Sequence, residues 1–264
     1  MPERTGKKSI IMLKITTTIV LFLIGMLTQA QVSENRAIPD FSRIEVKNGI
    51  TISYSVDPVP SAKMQSGSNE NLSNIMLDVK NGTLKVYTAD GNPVNGVTVY
   101  LQSAGLSALS ASSKAQVVLP QILETRSIDI ALSSGAKFTG MIRSRANTTV
   151  KVSDNASFNG RVDTGRLSGE FTDSATVVLS GNAYDAFLYT DKNVKVSALN
   201  LDTENAVVFA SGQSAVRLHA GTNLSLNIAD GARVTYSGSP KNVQYSEGAL
   251  ATIKDKSTNG LSAN

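Results

Sequence analysis

Cysteine and tryptophan are absent from the 264-residue chain, histidine occurs once, aromatic residues make up 5% and charged residues 17%. Without cysteine there is no disulfide framework, thiolate zinc site or cysteine nucleophile, and one imidazole builds neither a two-histidine metal site nor a histidine dyad. No metal and no cofactor are expected from such an inventory. Charge of one sign is scarce too. The formal +4 arises largely from Arg4, Lys7, Lys8 and Lys14, set against Glu3 alone among the first thirty residues; the remainder holds 21 basic and 20 acidic side chains. A near-balanced chain with no Lys/Arg stripe lacks the footprint of a nucleic-acid binder.

Long apolar runs are limited to the beginning. A charged stretch (Met1 to Lys14), an apolar run (Ile15 to Leu27) and the small-residue pattern Thr28-Gln29-Ala30 together read as a secretory signal, with cleavage after Ala30. Ile19 to Leu27 gives nine unbroken residues free of polar side chains, well short of the roughly 20 that span a bilayer, and no later segment is a transmembrane candidate. No cysteine follows the run to carry a lipid. The expected location is therefore outside the cytoplasm: periplasm, outer cell surface or extracellular space.

The rest of the chain is dominated by a repeat. Leu132-Ser-Ser-Gly-Ala-Lys-Phe138, Val152-Ser-Asp-Asn-Ala-Ser-Phe158, Phe171-Thr-Asp-Ser-Ala-Thr-Val177 and Ile228-Ala-Asp-Gly-Ala-Arg-Val234 share one pattern: apolar, three small or polar turn residues, alanine, polar, apolar. Anchored on the alanine position, the copies stand at Ala115, Ala136, Ala156, Ala175, Val194, Ser214 and Ala232, with spacings of 21, 20, 19, 19, 20 and 18 residues. Columns away from the anchor agree as well. Two residues after it come Val117, Phe138, Phe158, Val177, Val196, Val216 and Val234. Four and six residues before it lie further largely apolar columns, the latter running Leu109, Ile130, Val150, Gly169, Leu188, Val208 and Leu226. Two-residue alternation marks strands, and the Gly or Asn at the third turn position tolerates the positive φ of a sharp bend.

A unit of about 20 residues made of short strands and tight turns cannot bury its apolar face alone, so copies must stack. The expected fold is all-β: a parallel β-helix, or solenoid, right-handed by the usual crossover rule. An antiparallel β-sandwich would explain the alternation but not seven equivalent columns at one period. The organisation expected is a signal at 1–30, an irregular N-terminal part or cap at 31–103, regular coils at 104–238, and a C-terminal cap with a disordered tail at 239–264. Within the irregular part, Ile44 to Ile52 and Leu77 to Val86 read either as early coils or as capping hairpins, and Pro58–Asn71 and Ala89–Asn95 read as surface loops.

The opening Phe41-Ser-Arg-Ile44-Glu-Val46-Lys-Asn-Gly-Ile50, the strand from Gly82 to Val86 and the repeated Ser-Gly-Ala-type turns resemble the bacterial family called putative auto-transporter adhesin, head GIN domain. The likeness runs from about Ile38 to Tyr236. It implies exported right-handed β-helices of Bacteroidetes-type bacteria and an adhesin-like role, and it carries no catalytic residues.

Candidate sites lie on the outer face. Outward positions five and seven before the anchor are polar or small in most coils, yet two adjacent coils place Phe187, Tyr189, Val207 and Phe209 there, with Tyr184 close by. Such a patch suits a contact surface. A covering segment of the same chain, a second copy of the chain, or a glycan or protein ligand are the three occupants to weigh. The rival reading is a polysaccharide lyase or hydrolase using Asp129, Lys151 and Glu170 on successive coils, since such chemistry needs convergent carboxylates. Asp154, Asp173 and Lys192 form a second charged set in the turns, where aspartate ordinarily serves its own backbone. His219 has no acidic neighbour in sequence and reads as a surface or turn residue.

Overall fold

The computed structural model describes residues 31–246 and 253–255; the stretch read as a signal and the tail read as disordered lie outside the described residues. The strands are β1 (Val32–Arg36), β2 (Arg43–Val46), β3 (Thr51–Val56), β4 (Ser61–Ser66), β5 (Ile75–Lys80), β6 (Thr83–Thr88), β7 (Thr98–Ser103), β8 (Ala108–Ala111), β9 (Gln116–Leu132), β10 (Lys137–Val152), β11 (Ser157–Phe171), β12 (Thr176–Thr190), β13 (Lys195–Ala210), β14 (Ala215–Ala220), β15 (Asn223–Ile228), β16 (Arg233–Gly238), β17 (Asn242–Tyr245) and β18 (Ile253–Asp255), with one short helix, α1 (Asn69–Ser73). They form a parallel β-solenoid of about 7 turns with coils of about 20 residues.

The repeat columns become physical stacks. Val117, Phe138, Phe158, Val177, Val196, Val216 and Val234 are paired rung to rung in parallel register, and all seven are buried. The column beginning at Leu109 keeps register in the same way down to Leu226. Most coils turn on a four-residue bend in which the amide at the anchor position donates to the carbonyl three residues back, as from Ala136 to Ser133 and from Ala156 to Ser153, both at 3.0 Å. Both central residues of the bend are left-handed, for instance Asp154 (φ 52°) with Asn155 (φ 61°) and Asp173 (φ 52°) with Ser174 (φ 63°). That conformation costs about 1–2 kcal/mol for a residue other than glycine. It is held because successive bends bond to one another: the Gly135 amide donates to the Asp154 carbonyl at 2.9 Å, Asn155 to Asp173 at 3.0 Å, and Ser174 to Lys192 at 2.8 Å.

Large core side chains are matched to missing ones. The Phe138 and Phe158 rings stack with centroids 4.8 Å apart and planes 4° from parallel. A Cβ at Gly160 would lie 2.5 Å from the Phe158 ring, and one at Gly169 would lie 2.5 Å from the Phe171 ring. Gly169 therefore stands in an otherwise apolar column because Phe171 occupies its side-chain volume.

The N-terminal part combines both forms that the sequence left open. β2 and β3 make a coil, and β6 and β7 make the coil beneath it, but in reverse of chain order: β2 lies between β6 and β8, and β3 between β7 and β9, all parallel. Leu77 to Val86 is instead an antiparallel hairpin of β5 with β6. The reading of Pro58–Asn71 as a surface loop is corrected: it contains β4, antiparallel to β7, with Ala62, Met64 and Ser66 buried, because Ser-Ala-Lys-Met-Gln-Ser alternates as a half-buried strand does. β1 adds antiparallel to β4, and Arg36 donates to the backbone carbonyls of Ile75 and Leu72. Antiparallel strands bearing Glu34, Arg36, Asp78 and Lys80 thus close this end, a common protection of a sheet edge.

Candidate functional site

The face that precedes the tight turn of each coil carries two outward columns. One reads Ala131, Lys151, Glu170, Tyr189, Phe209 and Asn227; the other reads Asp129, Thr149, Ser168, Phe187, Val207 and Ser225. In an all-parallel rung these side chains repeat about every 4.8 Å along the solenoid axis. Phe187 pairs with Val207 and Tyr189 with Phe209, so β12 and β13 bring the four side chains together as a two-by-two block. Phe187, Tyr189 and Phe209 are 40%, 45% and 47% exposed and Tyr184, at the adjoining corner, 64%; Val207 is half-buried. Among the described residues no segment lies over the block.

Polar order surrounds it. The guanidinium of Arg166 sits 5.4 Å from the centre of the Phe187 ring and 3.6 Å from the Asp185 carboxylate, a cation–π contact backed by an ion pair. From Asp185 an amide ladder runs along the axis: Asn205 donates to Asp185 at 2.8 Å, Asn223 to Asn205 at 2.7 Å and Asn242 to Asn223 at 2.7 Å. Such ladders fix stacked strands in register. The sequence reading missed this column, although Asp185, Asn205, Asn223 and Asn242 recur at the coil period and a count nine residues before the anchor finds the first three.

Of the residues of the rival enzymatic reading, Lys151 and Glu170 line one pocket and Asp129 is not part of its lining. Asp129 is opposite Thr149, one column away from Lys151. Lys151 and Glu170 are in register and joined at 2.6 Å, and the hydrogen bond and charge of Glu170 hold the ammonium above its ordinary value. In the turns, Asp173 is held below the usual carboxylate range by the Thr172 hydroxyl and then by Lys192, whose ammonium lies 3.1 Å away. Asp154 accepts from the Ser153 hydroxyl at 3.0 Å. Lys151, Glu170 and Asp173 line one open pocket of about 310 Å³, but Lys151 is paired with Glu170 and Asp173 with Lys192. Nδ1 of His219 is 3.2 Å from the Ser237 hydroxyl. Among the described residues no group of three or more His, Cys, Asp or Glu is placed to hold a metal ion, and no helix is long and apolar enough to cross a membrane.

Comparison with known proteins agrees with this architecture. The chain belongs to the family described as "Putative auto-transporter adhesin, head GIN domain", whose sequence profile matches residues 40–240. It is similar to the crystal structure of a putative adhesin from Parabacteroides merdae ATCC 43184, with 18% identity, a TM-score of 0.73, and 86% of this chain and 93% of that one covered. A putative adhesin from Parabacteroides distasonis ATCC 8503 superposes with a TM-score of 0.76 at 17% identity over 86% and 94% of the two chains. A protein of the same organism described as a putative lipid binding protein does so with a TM-score of 0.72 at 16% identity over 85% and 96%. At these identities the likeness is one of fold. No curated protein matches the chain.

Proposed function

We propose that this head GIN domain protein is an exported, non-enzymatic, adhesin-like binder that holds a protein or glycan partner against Tyr184, Phe187, Tyr189, Val207 and Phe209. One observation carries the proposal. On a face whose other rungs pair charges or polar groups, two adjacent rungs pair aromatic and aliphatic side chains in register and leave them exposed. Soluble monomers rarely expose apolar clusters of a few hundred Å² without a use for them. The rungs are fixed by backbone ladders on both sides, so presenting these rings costs little ordering on contact, the usual advantage of a preorganised surface. Tyr and Phe faces suit sugar rings as well as apolar protein anchors.

A stable protein partner, a second copy of the chain included, would bury about 800 Å² on each side and so would extend beyond these five side chains. Export rests on the charged, apolar and small-residue sequence of the first thirty positions. The non-enzymatic reading is supported by the mutual pairing of Lys151 with Glu170 and by the adhesin description of the family.

The test is Phe187→Ser combined with Phe209→Ser, compared with the unaltered protein for glycan-array binding, sedimentation and adhesion of expressing cells. Loss of binding by at least tenfold with an unchanged circular dichroism spectrum is expected. An identical binding and sedimentation profile would remove the patch as the contact surface. Turnover of polyuronates that disappears in Asp129→Asn with Glu170→Gln would overturn the non-enzymatic reading.

A further inference from the structure

Charged side chains on neighbouring rungs of this solenoid are arranged by sign. Glu45 with Lys85, Glu124 with Arg143, Lys151 with Glu170, Arg166 with Asp185, and Asp173 with Lys192 all meet across adjacent coils at 2.6–3.6 Å. That is what stacked rungs require, because like charges directly opposite are destabilising. The corner that ends the first half of each coil breaks the rule. There the register of β9 and β10 slips between Ser144 and Asn147, so that Arg145 and Ala146 together oppose Arg126. Both arginines are exposed, and among the described residues neither has an ion pair or hydrogen-bond partner. A bulge of this kind re-aims a side chain and is over-represented beside functional sites.

The two guanidinium groups line an open groove of about 540 Å³ together with Glu124, Thr125, Arg143 and Ala146. The corner column continues past the groove. On the next coil the corner position is Gly165, whose missing Cβ would lie 3.0 Å from the Ala146 carbonyl oxygen, and on the coil after that it is Tyr184, 64% exposed. Arg126, Arg145, Gly165 and Tyr184 thus follow one another along the solenoid axis over a reach of about 14 Å, taken from the rung spacing.

We infer that this corner binds an acidic polysaccharide, with Arg126 and Arg145 holding successive carboxylate groups and Tyr184 receiving the face of a sugar ring. The corner shares Tyr184 with the proposed contact patch, while Arg126 and Arg145 are separate from it. Guanidinium forks match carboxylates in a bidentate manner, and an exposed tyrosine ring offers an apolar face with a polar tip. The corner positions follow one another along the axis, which suits a polymer lying across rungs. Glu124 stands at its wall, joined to Arg143 at 2.9 Å. A carboxylate there opposes a polyanion as dense as nucleic acid, whose affinity grows with every phosphate neutralised, but leaves room for a chain with at most one charge per sugar.

The experiment measures binding of the purified full chain to polygalacturonate, alginate and hyaluronan, with fully methyl-esterified polygalacturonate as the neutral control. The altered proteins are Arg126→Gln, Arg145→Gln, the double Gln variant and the double Arg→Lys variant. At least one of the acidic polymers should bind ten times or more tightly than the esterified control, with affinity falling as salt rises. The double Gln variant should lose at least tenfold, and the double Lys variant, which keeps charge without the fork and guards against a folding defect, should lose an intermediate amount. Phe187→Ser with Phe209→Ser should cost less affinity for these polymers than the double Gln variant does, and a loss confined to one of the two pairs of changes separates failure of the patch from failure of the corner. The inference is overturned by equal binding of the esterified polymer, by full binding in the double Gln variant, by no binding to any of the three acidic polymers, or by stronger binding to duplex DNA or anionic lipid vesicles at matched charge.

Discussion

Replacing Gly160 by alanine should destabilise the protein, and simultaneous truncation of Phe158 should abolish most of that effect. The new Cβ would sit 2.5 and 2.6 Å from two ring carbons of Phe158. The ring has nowhere to retreat. It is 1% exposed, it is stacked on Phe138, and its other neighbour in the column is Val177. Overpacking of a tight core costs about 1–3 kcal/mol, offset by about 0.5–1 kcal/mol from the reduced freedom of the unfolded chain when glycine is lost. Phe158→Ala alone should cost about 3–5 kcal/mol, including the aromatic pair at about 0.5–1.5 kcal/mol. In the double variant the added methyl enters the vacated ring volume, so the overpacking disappears and the pair of changes costs less than Phe158→Ala alone. The coupling energy is therefore favourable by about 1–3 kcal/mol, within the range seen for touching residues. Urea unfolding followed by circular dichroism on all four proteins measures it, provided the slopes agree, since stacked repeats can unfold in segments. Additivity within about 0.5 kcal/mol, or stabilisation by Gly160→Ala, would refute the claim that glycine is there for the ring.

Two further outcomes follow from the same coordinates. Asn223→Ala removes both its bond to Asn205 and its bond from Asn242, which at about 1 kcal/mol each, less what water restores, should cost about 1–2 kcal/mol in the same unfolding assay; Asn147→Ala, in the same column but without a ladder bond, should change stability by less than about 0.5 kcal/mol. Asp90 is held at about 2 by the Asn74 side chain, then by the backbone amide and side chain of Asn92; a lowered carboxylate favours folding above its unfolded value near 3.9, and that contribution fades as pH falls toward 2, so a ¹³C-detected titration of Asp90 should give a midpoint near 2, and a midpoint close to 3.9 would show that the Asn74 and Asn92 bonds do not form in solution.

Much of the fold was legible because stacking imposes the same demand on every coil. A side chain such as Val177 touches the residue above and the residue below, so apolar identity recurs at the coil period and becomes visible without structure. The exceptions are local. Thr190 interrupts one apolar column with a hydroxyl that is buried and, among the described residues, without a hydrogen-bond partner, a cost of about 1–3 kcal/mol that no pattern announces. The swapped order of the first coils was not legible, because β2 lies against β6 and β8, and nothing in residues 43–56 distinguishes insertion between two later segments from a place at the end of the stack. β4 was hidden by its flanking prolines and glycine. Of the candidate residues, Phe187, Tyr189, Val207 and Phe209 could be placed on adjacent rungs by counting. The Arg126 and Arg145 corner escaped the same count, since a one-residue bulge moves them out of a shared column.

Outward residues obey a weaker rule than inward ones, and for that reason their departures carry more information. A rung facing water needs only solvation and an acceptable neighbour, so opposite charges, amides and small polar residues satisfy it in many combinations. Two adjacent rungs of aromatic and aliphatic side chains satisfy it poorly, as do two unpaired guanidinium groups in succession, and each arrangement improves when a partner supplies what the neighbouring rung does not. The departures lie on the flank of the middle coils. The N-terminal end is blocked by the antiparallel β1 and β5 and their charges, with Arg36 anchored to two carbonyls, so end-on stacking there is disfavoured. Tyr184 joins the two features, since it follows Gly165 in the corner column and lies on the same strand as Phe187 and Tyr189. A ligand long enough to span both would be held by charge at one end and by ring contacts at the other, and combining the Arg126→Gln/Arg145→Gln and Phe187→Ser/Phe209→Ser changes would then weaken it by more than either pair alone.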